Sequence, residues 1–214
     1  MKVAVLSESE ADETGVRVFV DAILQTRTEP VRIKPRHRGW PHVLKVLPNV
    51  LRQMHYHTDA EALAVVVDSN DSPCHPPGPN GTCQGGGRCR LCLLRDAARE
   101  TLGRVRPRQH MPPLKMAIGL AVPAIEAWYV FQTRPGISEG AWIRGMAERH
   151  LPYTRGELKQ AMYGTTRPSL TLMAERIQRA ASRLAGQENL EGLERTFPVG
   201  FGALAEAVRG WRGQ

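Results

Sequence analysis

Residues 63–71 read LAVVVDSND, and this stretch decides the fold. Five apolar residues in a row, β-branched toward the end, are what a strand buried on both faces of a parallel sheet requires. Asp68 follows them directly. A carboxylate there is costly unless it is paired or binds a cation. Working outward, Lys2–Leu6 is a short apolar run and reads as a first strand. Thr14 to Thr26 carries Val16, Phe19, Val20, Ile23 and Leu24 at the spacing of an amphipathic helix. Pro30–Lys34 (PVRIK) alternates like a strand with one wet face. Pro41 to His55 has a helical apolar stripe, in which Pro48 predicts a break or kink. Helix is expected again over Cys92–Leu102 and strand over Met116–Val122. Ala124–Phe131 opens a further helix, and from about 138 onward the pattern is helical, with Met173, Ile177, Ala180 and Leu184 as its clearest stripe. The alternation of strand and helix argues an α/β fold with a parallel sheet. In such sheets the working residues sit at the carboxyl ends of the strands.

The composition is that of a globular chain. Of 214 residues, 42% are apolar and 23% charged, which excludes a disordered chain, a coiled-coil rod or a collagen-like fibre. No run of 18 apolar residues exists to span a bilayer. The N-terminal MKVAVLSESE is too short in its apolar part for a signal peptide. A soluble, cytoplasmic protein is therefore expected. The net charge of +8 favours polyanionic partners, nucleic acid above all, although a simply Arg-rich composition gives the same charge. Walker A, Gly-x-Gly-x-x-Gly and Gly-x-Ser-x-Gly motifs are missing, so ATPase, dinucleotide-binding and α/β-hydrolase readings lack support.

Acidic residues follow three of the four strands. Glu8 sits just past the first, with Glu10, Asp12 and Glu13 behind it. Asp12 and Glu13 are explained by the preference of a helix N-terminus for negative charge. After the third strand come Asp68, Asn70 and Asp71, an oxygen-rich group suited to Mg²⁺ or Mn²⁺. DSND equally reads as an Asx-turn. After the fourth strand Glu126 stands in an apolar stretch beside Ala127 and Trp128.

The four cysteines all lie within 19 residues, as Cys74-x8-Cys83-x5-Cys89-x2-Cys92, in a Pro/Gly-rich segment with almost no apolar residues. Such a segment cannot bury a core and needs a staple. Four thiolates around zinc make a closed structural site, with His75 competing with Cys74 as a ligand. An iron–sulfur centre is the weaker alternative, and disulfides do not suit a cytosolic chain. Lys34, Arg36, Arg38 and Lys45 around Trp40, with Arg88 and Arg90 in the cysteine segment, are candidate nucleic-acid contacts, or simply a solvated basic face. His55-Tyr56-His57 marks the polar end of the second helix. Trp128, Tyr129, Trp142 and Trp211 read as packing residues.

Taken together, VLSESEADE (5–13), VVVDSND (65–71), AVPAIEAWYVF (121–131) and LKQAMYG (158–164) resemble a Toprim domain. More narrowly, they resemble the Toprim-like prokaryotic proteins of the DUF4276 type. The resemblance runs from residue 2 to roughly 164 and implies a parallel-sheet, Rossmann-like core; the chain then divides into this core over residues 1–135, with the cysteine segment as a zinc insert at 72–92, and a helical extension at 136–214. It implies that Glu8 matches the Toprim glutamate and Asp68 the first aspartate of the pair. Asn70 stands where the second aspartate is expected, with Asp71 as its substitute, and Ser9 replaces the usual glycine. The activity implied is Mg²⁺- or Mn²⁺-dependent phosphodiester chemistry on DNA or RNA, as in a nuclease of phage defence. Glu8 and Asp68 would be the essential ligands, with Asn70, Asp71 and Glu126 in support. Some relatives act beside an ATPase partner, so the alternative is a non-catalytic, nucleic-acid-binding or regulatory subunit of such a complex.

Overall fold

Four strands, β1 (Lys2–Leu6), β2 (Glu29–Val31), β3 (Ala62–Asp68) and β4 (Lys115–Ala121), pair in parallel in the order β2-β1-β3-β4. The structure is a computed structural model and describes residues 1–33, 39–73, 75, 83, 89–109 and 111–212. β3 is central and its first six residues are buried, as its unbroken apolar run demands. β2 is a three-residue edge strand containing Pro30. Proline is tolerated there because an edge strand has one side without a ladder to maintain. It ends earlier than the expected Pro30–Lys34, and Lys34 itself lies outside the described residues.

The connections carry α1 (Glu10–Leu24), α2 (Trp40–His57) and α3 (Arg90–Gly103). Right-handed crossovers put α1 on one face and α2 with α3 on the other, and α2 and α3 pack together. α1 begins at Glu10, four residues before the expected start at Thr14. Ser9 is its N-cap and accepts the Asp12 N–H at 3.2 Å, and three acidic residues occupy the first turn, where the dipole favours them.

α2 does not break at Pro48; it runs unbroken from residue 40 to 57. An interior proline costs about 3 kcal/mol. Val43, Val46, Leu47, Val50, Leu51 and Met54 are all buried, each contributing about 1.5–3 kcal/mol. Tertiary burial on both sides of Pro48 outweighs the lost backbone bond.

After β4 come α4 (Glu126–Val130), α5 (Glu139–Glu148), α6 (Arg155–Tyr163), α7 (Leu170–Leu184), α8 (Gln187–Thr196), a π-helical turn (Pro198–Gly202) and α9 (Ala203–Arg209). These helices share one apolar core with the sheet. α7 packs along α1, and α9 with the π-helical turn covers the free edge of β4. The boundary at 135/136 thus marks a change from alternating to all-helical chain, with packing continuous across it. Trp128, Tyr129, Trp142 and Trp211 are all buried in this core. Among the described residues no helix is long and apolar enough to cross a membrane.

The edge cover depends on one glycine. A Cβ on Gly200 would stand 2.2 Å from the Leu120 carbonyl oxygen. Glu139 fixes the same turn from outside, its carboxylate accepting the Val199 N–H at 2.8 Å and also bonding Gly200. Backbone thus abuts backbone, and neither side can yield as a flexible side chain would. Gly200→Ala is expected to destabilise the fold by about 3 kcal/mol, at the upper end for overpacking. Thermal denaturation beside Gly103→Ala, whose Cβ meets open space, checks this; equal melting temperatures would refute it.

Candidate functional site

The chain leaves β1 toward β2 on one side and β3 toward β4 on the other, so the β1/β3 pair is the point where strand order reverses. Crevices at such points, outside the carboxyl ends, are where parallel sheets bind ligands. Glu8 follows β1 and Asp68 closes β3, so both reach this crevice. Glu8 Oε1 accepts the Asp68 N–H at 3.0 Å, and its backbone carbonyl accepts the Gly39 N–H at 3.0 Å. The start of α2 is thereby drawn over the crevice. Asp68 Oδ1 accepts the Ile125 N–H at 2.9 Å, which ties β3 to the segment leading into α4.

Two further carboxylates face this pair. Glu126 is 4% exposed at the start of α4, and Asp12 is 9% exposed in the first turn of α1. Burial, followed by the charges of Glu126 and Glu8, pushes the Asp12 carboxyl up to about 7; a hydrogen bond from Ser9 opposes this. Burial and the charges of Glu126, Glu8 and Asp12 push Asp68 well above the usual carboxylate range. Glu8 is raised as well, chiefly by burial. Four carboxyls in one crevice cannot all ionise without a counter-charge.

Among the described residues, two arginines supply counter-charge. Arg90 Nη1 donates to the Asp68 carbonyl at 2.8 Å and lies 3.4 Å from Glu8 Oε1, with its guanidinium stacked 5.0 Å over the Trp40 ring. Arg155, at the start of α6, donates to Asn70 Oδ1. Behind the carboxylates lie the hydroxyls of Tyr129 and Tyr163. Both are buried and make no hydrogen bond of ordinary geometry with the described residues. Burial and the nearby Asp12 and Glu126 charges raise both phenols.

Of the expected acidic set, Glu8, Asp68 and Glu126 come together. Asn70 and Asp71 form the turn beyond them. Asn70 takes a left-handed φ of 50°, and its N–H donates to the Pro123 carbonyl at 2.8 Å. Asparagine tolerates that conformation well, so the turn reading of DSND and the strand-end reading of Asp68 hold side by side. Asp71 is exposed.

The helix dipole by itself is a sufficient reason for an aspartate at position 12. The signal for more was present: Asp12 stands four, seven and eight residues before Val16, Phe19 and Val20, in line with the buried stripe. Arg155 and Tyr163 carried no such signal, because they arrive from the C-terminal helices. Among the basic candidates, Lys45 is exposed on α2 and Arg90 is turned inward. Lys34, Arg36, Arg38 and Arg88 lie outside the described residues.

The second cluster is the cysteine segment. His75, Cys83, Cys89 and Cys92 bring one ligand atom each within 4.8 Å of one another. His75 Nδ1 lies 3.3 Å from Cys89 Sγ, 3.8 Å from Cys83 Sγ and 3.4 Å from Cys92 Sγ; Cys83 and Cys92 Sγ are 3.6 Å apart. A tetrahedral zinc site implies about 3.5 Å between nitrogen and sulfur and about 3.8 Å between sulfurs. The four donors fit zinc, with the described fourth ligand being His75. Cys74 lies outside the described residues. The sulfur separations are far beyond the ~2.05 Å of a disulfide.

Cys89 is also the N-cap of α3, its sulfur accepting the Cys92 N–H at 3.4 Å. Burial and the neighbouring thiols push its own thiol up to about 12, so a thiolate here requires a cation. Among the described residues this is the one group of three or more His, Cys, Asp or Glu donors so tightly gathered; the acidic crevice is more open. Compared with family models, curated proteins and solved structures, the chain matches none of them.

Proposed function

We propose that the acidic crevice binds Mg²⁺ or Mn²⁺ and that the protein carries out phosphodiester chemistry of Toprim type on DNA or RNA, as a nuclease. The observation that carries this reading is the convergence of Glu8, Asp12, Asp68 and Glu126 at the β1/β3 reversal, with burial raising Glu8, and burial together with neighbouring carboxylate charge raising Asp12 and Asp68. Carboxylates kept together at such cost suit a divalent cation. Glu8 and Asp68 would hold it, with Asp12 and Glu126 behind them. A bound ion would supply Lewis-acid polarisation of the phosphate and an activated water. Arg155 at the rim would position the phosphate by charge-assisted hydrogen bonds. Asp12, with its carboxyl near 7 in the ion-free site, is suited to hold or release a proton at neutral pH.

The runner-up is a non-catalytic, nucleic-acid-binding or regulatory subunit of an ATPase-containing complex. It is favoured by Asn70, which is neutral where a second aspartate would stand and whose Oδ1 is taken by Arg155. The test is cleavage of plasmid, single-stranded DNA and RNA with Mg²⁺ and Mn²⁺, wild type beside Glu8→Ala. Cation-dependent cleavage by the wild type alone is expected and would name the polymer. Binding without cleavage under both ions would move the assignment to the runner-up.

A further inference from the structure

Resting on that cation-site reading, we propose that Arg90 is a tethered counter-cation through which the His/Cys₃ knuckle regulates the acidic crevice. Arg90 lies inside the Cys89-x-x-Cys92 turn. Its backbone is therefore held from both sides by donors of the zinc-compatible cluster, while its side chain points to Glu8 and Asp68. It is the first residue of α3, a position where the helix dipole disfavours a cation, and the first turn of α3 holds no acidic residue to offset it. Local helix chemistry does not account for an arginine here, whereas its distant partners do. Those partners are the Asp68 carbonyl at 2.8 Å, Glu8 Oε1 at 3.4 Å and the Trp40 ring at 5.0 Å. Only 15% of its side chain is exposed.

The guanidinium lies against Glu8 Oε1 and the Asp68 main-chain carbonyl, so a divalent cation held by the Glu8 and Asp68 carboxylates would come close to it. Two cations within a few ångströms repel strongly, so each weakens the other's hold. Zinc at the knuckle fixes the turn that carries Arg90 and lowers the entropic cost of keeping it inward. Loss of zinc frees the turn and lets the guanidinium return to water. Zinc loading thus holds the crevice at low divalent-ion affinity until a phosphate, which pairs with arginine in a bidentate fork, draws Arg90 away. The coupling is reciprocal: divalent-ion binding at the crevice loosens zinc by the same factor.

The test uses the full chain, zinc-loaded, with Mn²⁺ affinity read from the electron paramagnetic resonance of free Mn²⁺. Arg90→Ala is expected to tighten Mn²⁺ about tenfold, within the usual range for coupled sites. Zinc-free Cys83→Ser is expected to tighten it similarly. The double variant should match Arg90→Ala alone, because the effect of zinc passes through this side chain. Arg90→Lys, which keeps the charge, should stay near wild type. Release of zinc to a chromogenic chelator should quicken with Mg²⁺ in the wild type and not in Arg90→Ala. If Cys83→Ser does not fold, wild type stripped of zinc by dialysis replaces it. An unchanged Mn²⁺ affinity on zinc loss, or an equal further tightening in the Arg90→Ala background, overturns the coupling and leaves the cation site standing. Absence of Mn²⁺ binding in every protein overturns both.

Discussion

Asp68→Asn is expected to raise the melting temperature of the ion-free protein at pH 8 while removing the proposed cation-dependent cleavage. The substitution preserves shape, and asparagine Oδ1 still accepts the Ile125 N–H that Asp68 Oδ1 accepts at 2.9 Å. What it removes is a buried ionisable carboxyl from a crevice that also holds Glu8, Asp12 and Glu126. The folded-state carboxyls of Glu8, Asp12 and Asp68 bind protons more tightly than the unfolded chain does. Between the ordinary value and the raised one, the native state therefore holds more protons, and stability falls as pH rises. For Asp12 that window runs from 3.8 to about 7 and is worth up to about 4 kcal/mol. The stability is fully present below the window and lost above it. Asp68→Asn relieves part of this repulsion, by about 1–2 kcal/mol at pH 8, the usual gain when a destabilised functional site is neutralised. At pH 5, below the Asp12 value of about 7, that carboxyl is protonated and the gain should shrink. Loss of the ligand should lower cleavage by at least on the order of 10²–10³-fold. Thermal melts at pH 5 and pH 8, with and without Mn²⁺, read the first part. A variant less stable than wild type at both pH values would show that Asp68 is structural.

Cys89→Ser should abolish zinc binding at the His/Cys₃ cluster while leaving the α3 cap in place. Serine is among the best N-cap residues, so the bond that Cys89 Sγ accepts from the Cys92 N–H has a ready replacement. The thiolate does not. Zinc content by mass spectrometry should fall from about one ion per chain to near zero, since three donors leave a tetrahedral site open. Structural zinc sites contribute about 10–16 kcal/mol of binding free energy. The loss of even several kcal/mol should lower the melting temperature by about 10 °C or more. Cys89→Ala removes cap and ligand together and should cost about 1 kcal/mol beyond the serine variant. Unchanged zinc content in Cys89→Ser would show that the ion is held without this sulfur.

Much of the fold was legible because its signals are local. The apolar run at 62–67 and the stripes of α1 and α7 are periodicities that one face of one element must satisfy. Cys83, Cys89 and Cys92 stood out by spacing, and His75 was visible as a competing ligand. Pro48 misled because a local breaking rule yields to burial on both sides of it. Asp12 was passed over because one local explanation, the helix dipole, was sufficient by itself.

The sequence by itself determined the parallel α/β core, the strand-end placement of Glu8, Asp68 and Glu126, and a thiol cluster suited to zinc. Each follows from residues a few positions apart, where period and spacing constrain geometry directly. Only the tertiary structure decided that Asp12 joins those carboxylates, that Arg155 reaches Asn70 across 85 positions, and that Arg90 turns from the knuckle toward Glu8 across 82. Those contacts arise where strand order reverses and separate elements converge. The charge of a residue is written in the chain, but the field it stands in is made by neighbours that only folding brings near.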